Sequence, residues 1–154
     1  MKLKFNKWLF ALVALIFGFS GTVAAQYGVV ENHYQVKGNV ISEKCKDAVP
    51  GIKITLRATD ADGVDNDVVS TTDEKGNFSI ELSDYQIKKF ENYFLISEDT
   101  DGKDNNGDFQ AARQQIVLRR EDFTKTNYED WNQYFDSKTT YYFGLKFKND
   151  EPCK

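Results

Sequence analysis

Histidine occurs once in these 154 residues, at position 33, and cysteine and proline occur twice each. So small a stock of imidazole and thiol removes the usual routes to covalent or zinc chemistry: no Gly-x-Ser-x-Gly elbow, no Cys/His pair and no zinc-type spacing is present. A lone histidine ahead of the first strand is read as a surface residue. Among twenty-four acidic residues a carboxylate pair can be found almost anywhere, so paired acids carry little information. The expectation is a protein that is not an enzyme.

Long hydrophobic runs are confined to the start. Lys2, Lys4 and Lys7 precede an apolar run from Trp8 to Phe17, which leads into Val23-Ala24-Ala25. This is the pattern of a secretory signal peptide over residues 1–25, cleaved before Gln26. The run is short for a membrane span, and nothing later is apolar enough to act as one. A lipobox cysteine is missing, since Gln26-Tyr27 follow the small residues, so the mature chain is expected to be periplasmic or secreted without a lipid anchor. Cleavage removes three lysines and no acid, so seventeen basic residues face twenty-four acidic ones, a net charge of −7. Nucleic acid is therefore an improbable partner, because phosphate binding needs a basic face. Residues 26–33 read as a mature N-terminal segment, and residues 34–154 are long enough for one domain with its own core.

What the chain does have is a period of two. Tyr34, Val36, Gly38 and Val40 share one face of "YQVKGNV", with Gln35, Lys37 and Asn39 on the other. The same alternation runs through Ile52, Ile54, Leu56 and Ala58, through Phe78, Ile80 and Leu82, and through Tyr141, Phe143, Leu145 and Phe147. Shorter runs at Val68-Val69, Tyr93 to Ile96 and Ile116 to Leu118 supply three more strands. Seven strands with turn signals between them predict an all-β fold, a seven-stranded antiparallel Greek-key β-sandwich. One short helix is expected in "SDYQIKKFENY", capped by Ser83 or Asp84, with Tyr85, Ile87 or Lys88, and Phe90 about a turn apart.

The span from Tyr34 to Leu82 resembles the carboxypeptidase-regulatory-like, prealbumin-type domains. Their pattern is Gly-x-Val, Pro-Gly-Val/Ile-x-Val and Thr-x-Thr-Asp-x-x-Gly-x-Phe, here Gly38, Val40, Pro50, Gly51, Ile52, Ile54, Thr71, Thr72, Asp73, Gly76 and Phe78. Tyr27-Gly28, "YQVKG" and "EDTDGKDNNGDF" are also similar to the exported radical SAM-associated lipoproteins of Bacteroidetes, which this chain departs from by lacking the lipobox cysteine. The resemblance implies a non-catalytic accessory fold and a neighbouring peptide-modifying enzyme, with no known activity; an alternative reading makes this chain a substrate of such an enzyme. Hydroxyisourate hydrolases share the prealbumin fold, but their histidines are missing here. On physical grounds alone, Gly76 suits a turn with positive φ and Phe78 the first core anchor after it.

Two loops repeat Asp-x-Asp-Gly-x-Asp-Asn, from Asp60 and from Asp99. Alternate carboxylates beside a glycine bend can surround a hard cation, so calcium is the one cofactor to consider. Its ligands would be Asp99, Asp101, Asp104, Asn106 and Asp108, or in a second candidate Asp60, Asp62, Asp65 and Asp67. Neither is an EF-hand, since the glycine comes fourth and no glutamate stands twelfth. The competing reading is two solvated turns.

Phe123, Tyr128, Trp131, Tyr134 and Phe135 interrupt a polar stretch between the sixth and seventh strands. Either Tyr128, Trp131 and Tyr134 form a platform for a glycan or a partner protein, or the rings fold back as a plug over the sandwich end.

Strand parity gives the last expectations. If each of the six connections between seven strands reverses direction, the first and last strands run the same way and the two acidic loops lie at opposite poles. Cys45 and Cys153 then meet at the pole of the Asp99 loop, where an exported chain can keep a disulfide; the alternative is two unpaired thiols. The whole describes an exported binding or structural module whose partner is an envelope protein or glycan.

Overall fold

The computed structural model describes residues 30–104, 107–129, 131–150 and 152–153. The signal peptide expected over residues 1–25 and the segment up to residue 29 lie outside the described residues. The chain forms β1 (Glu31–Ser42), β2 (Ile52–Thr59), β3 (Asp65–Thr71), β4 (Asn77–Ser83), the helix α1 (Asp84–Lys89), β5 (Asn92–Asp99), β6 (Ala112–Val117), a 3-10 turn (Arg120–Asp122), β7 (Phe123–Glu129) and β8 (Asn132–Leu145). Two four-stranded sheets, ordered β4-β1-β8-β7 and β3-β2-β5-β6, face each other over one core.

The alternation predicted from the sequence is the alternation of burial. Tyr34, Val36 and Val40 of β1, Ile52, Ile54, Leu56 and Ala58 of β2, Phe78, Ile80 and Leu82 of β4, and Phe143 and Leu145 of β8 all point into the core. In β5, Tyr93 and Leu95 are buried. Ser83 caps α1 through a capping box with Gln86, and Ile87 is the buried helical residue. Tyr85, expected on the apolar face, is 64% exposed. β1 starts at Glu31 instead of Tyr34, so His33 lies within the strand.

Among the described residues there are eight strands, not seven. The aromatic segment read as a platform or plug folds as the hairpin β7–β8, paired from Phe123↔Ser137 to Glu129↔Asn132. The sandwich is also not wholly antiparallel, because β1 and β8 are parallel hydrogen-bonded neighbours from Glu31↔Asn132 to Ser42↔Leu145. The expected parity of first and last strands nevertheless holds. The Thr72–Gly76 turn reverses β3 into β4, and the pairings within each sheet then require β6 and β7 to run the same way. The Leu118–Asp122 connection is thus a crossover without reversal, and the extra strand leaves the parity unchanged.

The pattern residues between Gly38 and Phe78 form one packing unit. Gly38 and Phe78 are directly paired across β1 and β4, and a Cβ on Gly38 would lie 2.2 Å from the Phe78 ring. Glycine in a central strand marks such a close approach. Gly76 has φ +73°, and its carbonyl accepts the Val40 amide at 2.8 Å. The buried Thr72 hydroxyl accepts the Ile52 amide at 2.9 Å and donates to the Val49 carbonyl at 2.8 Å, tying the strand flanks of Pro50-Gly51 to the turn.

Candidate functional site

The register separates the two acidic loops. Ile52 pairs with Asp99 at one end of β2, and Thr59 pairs with Asp65 at the other. Eight extended residues span about 25 Å, so the loops stand at opposite poles.

Both loops are built around the carboxylate of their leading aspartate. Asp60 Oδ1 accepts the amides of Asp62 at 3.0 Å and Val64 at 2.8 Å. Asp99 Oδ1 accepts Asp101 at 3.2 Å and Gly102 at 3.0 Å, while its Oδ2 accepts Phe109 at 2.8 Å. Asp73 repeats the device in the β3–β4 turn, accepting Lys75 at 2.9 Å and Asn77 at 2.8 Å. In all three a glycine follows three residues later with positive φ, at Gly63, Gly76 and Gly102. The amides of Val64 and Asn77 hold the Asp60 and Asp73 carboxyls below the usual carboxylate range, against a smaller opposing effect of desolvation. The repeated Asp-x-x-Gly is therefore a self-capped turn.

The remaining candidate ligands are largely engaged as well. Arg57 forms a fork on Asp67, with Nε to Oδ1 at 2.7 Å and NH2 to Oδ2 at 2.6 Å, and reaches Asp65 at 3.3 Å. The Lys148 ammonium sits 2.5 Å from Asp108 Oδ1, an oxygen otherwise buried without a partner. Asp62 and Asp104 are exposed, and Asn106 lies outside the described residues. Among the described residues no three Asp, Glu, His or Cys side chains converge on a point that could hold a metal.

The aromatic candidates are divided by the hairpin. Tyr134 pairs with Asn127 and Tyr128 with Gln133, and neighbouring pairs point to opposite faces, so Tyr128 and Tyr134 do not form one platform. Tyr134 lies on the outer face, stacked on His33 at 5.1 Å, and His33 Nδ1 lies 2.7 Å from Glu81 Oε1. The lone histidine is thus a half-buried contact between β1, β4 and β8. Phe123 is buried and Phe135 half-buried, stacked on Tyr34 at 5.0 Å, and these two rings do fill the sandwich as a plug would. Tyr128 and Trp131 remain 51% and 58% exposed. Lys125 Nζ lies 5.2 Å from the Tyr128 ring centre and 3.1 Å from Gln133 Oε1.

The setting of that hairpin was not foreseen. Eight large apolar or aromatic side chains are exposed among the described residues, and six of them, Val30, Val64, Tyr85, Val117, Tyr128 and Trp131, belong to the pole where β1 begins and β2 ends. Val69 and Tyr142 face outward from the sheets. Each residue of the six lies in or beside a different strand end, so only the strand order brings them to one pole.

The opposite pole carries the cysteines. Cys45 and Cys153 form a disulfide with their Cα atoms 5.5 Å apart, closing a loop of 108 residues. No helix among the described residues is long and apolar enough to cross a membrane.

No protein-family model matches the chain, and no curated protein matches it significantly. Among solved structures, the crystal structure of the major plantain pollen allergen Pla l 1 aligns with 78% of this chain and 98% of its own, at 10% identity and a TM-score of 0.32. A likeness that distant carries no argument about function.

Proposed function

We propose that this chain is an exported, non-catalytic β-sandwich module of the prealbumin, carboxypeptidase-regulatory-like type, which engages an envelope partner through the pole that bears Tyr128 and Trp131. The observation that carries this reading is that six of the eight large apolar side chains exposed among the described residues lie at that pole. Exposed apolar surface rimmed by polar groups is characteristic of interaction sites, and tryptophan and tyrosine are the side chains that most often dominate binding energy there. The polar rim is supplied by Lys125, Asn127, Glu129 and Gln133 of the hairpin. The disulfide supports export, since such bonds persist in oxidising compartments.

Once residues 1–25 are removed, Trp131 is the sole tryptophan. Its fluorescence therefore reports directly on this pole. Titration with envelope polysaccharide and, separately, with solubilised envelope protein should shift or quench the emission in one of the two series. Trp131→Ala should abolish association with the same fraction. Emission unchanged by both fractions would contradict the reading.

A further inference from the structure

The chain beyond β8 is held against the acidic loop. Phe147 bridges to Phe109 and their rings stack at 4.6 Å. The Gln110 amide donates to the Lys146 carbonyl at 2.8 Å, the Lys148 amide donates to the Asp108 carbonyl at 2.8 Å, and Gln110 Nε2 donates to the Phe147 carbonyl at 3.1 Å. These bonds form a short antiparallel ladder between the C-terminal segment and residues 108–110. The ladder reaches the loop itself, because the Phe109 amide donates to Asp99 Oδ2 while Asp99 Oδ1 caps Asp101 and Gly102. Beyond the ladder, Cys153 is bonded to Cys45 in the β1–β2 connection. A cavity of about 340 Å³ lies under that bond, bounded by Val49, Phe109, Phe147 and Pro152.

A ladder of three residues contributes little stability of its own, so it depends on the packing of Phe109 and Phe147 against the core and on the tie at its far end. We infer that the Cys45–Cys153 bond is a redox-sensitive latch: oxidised, it holds the C-terminal ladder and through it the Asp99 loop; reduced, it releases both and uncovers Phe109 and Phe147. The step is thiol–disulfide exchange with a dithiol reductant. One thiolate attacks a sulfur of the bond to give a mixed disulfide, and the second displaces it. Two electrons and two protons convert Cys45 and Cys153 to thiols while the reductant closes to its own disulfide.

The latch acts on one pole only. The Asp60 loop is separated from it by the length of β2 and shares none of these bonds. Hydrogen exchange of the mature protein with and without dithiothreitol tests this. Reduction should speed exchange of the Gly102, Phe109, Gln110 and Lys148 amides by about tenfold or more, with the Asp62 and Val64 amides unchanged. The C45S/C153S variant should behave like the reduced protein without reductant, and Phe147→Ala should loosen the same amides with the bond intact. Equal rates at Phe109 and Gln110 in both redox states would overturn the latch. So would equal acceleration at both poles or outright unfolding, since the bond would then be a general brace.

Discussion

Replacing Gly38 by alanine asks whether the glycine that opens the Gly38-to-Phe78 pattern exists to admit the phenylalanine that ends it. A Cβ at this position would lie 2.2 Å from Phe78 Cζ, 2.4 Å from Cε1 and 2.5 Å from the Tyr141 carbonyl oxygen. Ordinary contact begins near 3.4 Å, so the ring would have to move by more than an ångström. Its movement is restricted, because Phe78 is only 4% exposed and packs inside the core. The strand cannot bow away either, since β1 is hydrogen-bonded to β4 on one side and β8 on the other. Overpacking of this kind costs about 1–3 kcal/mol, and the rigid carbonyl places Gly38→Ala at the upper end, about 3 kcal/mol. For a domain of this size that lowers Tm by about 10 °C. Urea denaturation measures it, with the midpoint falling and the slope unchanged. Shortening the ring should return part of the loss, so Gly38→Ala combined with Phe78→Leu should cost about 1 kcal/mol less than the two changes summed. A cost below about 1 kcal/mol for Gly38→Ala alone, or strict additivity in the double variant, would refute the argument.

Three further outcomes follow from other contacts. Thr72→Val keeps the shape but strips the hydroxyl from the Ile52 amide and the Val49 carbonyl, leaving two buried groups unmet, and should cost about 2–3 kcal/mol by the same denaturation assay. Burial pushes the Asp84 carboxyl up, but hydrogen bonds from Lys88, Arg120 and Tyr34 outweigh it and bring the value down to about 2. A depressed carboxylate stabilises the fold above its unfolded value near 3.9 and loses that contribution as pH falls toward 2; Asp84→Asn should flatten stability between about pH 4 and 2. Calcium at millimolar concentration should move Tm by less than about 1 °C, because both Asp99 oxygens already serve backbone amides; a larger, saturable rise would show that the loop rearranges to bind it.

Most of the sandwich was legible because half-buried strands announce themselves by alternation, as at Ile52 to Ala58 and Phe78 to Leu82. β7 was missed because nearly all of it faces solvent: among Phe123–Glu129 only Phe123 is buried, so no alternation exists to read. The parity argument survived that omission only because the connection into β7 does not reverse. The cysteine pair and the opposite-pole loops depended on direction alone. The acidic loops were harder, since Asp-x-x-Gly serves a cation site and a self-capped turn equally well on paper. Its third copy, at Asp73 to Gly76, is the available clue, because that turn leads straight into the core anchor Phe78 and has no second carboxylate two residues on. Tyr128 and Trp131 were named from composition, but the pole they share with Val30, Val64, Tyr85 and Val117 is a product of strand order, invisible until the sheets are assembled.

Site-specific photocrosslinking in the native host tests the binding pole most directly. A photoreactive phenylalanine analogue at position 128 or 131 should yield a discrete adduct with an envelope protein or glycan after irradiation. The same analogue at position 69 or 142, equally exposed but on the outer sheet faces, should yield none. Adducts from positions 69 and 142 with none from 128 and 131 would contradict the account, as would the absence of any adduct at all four.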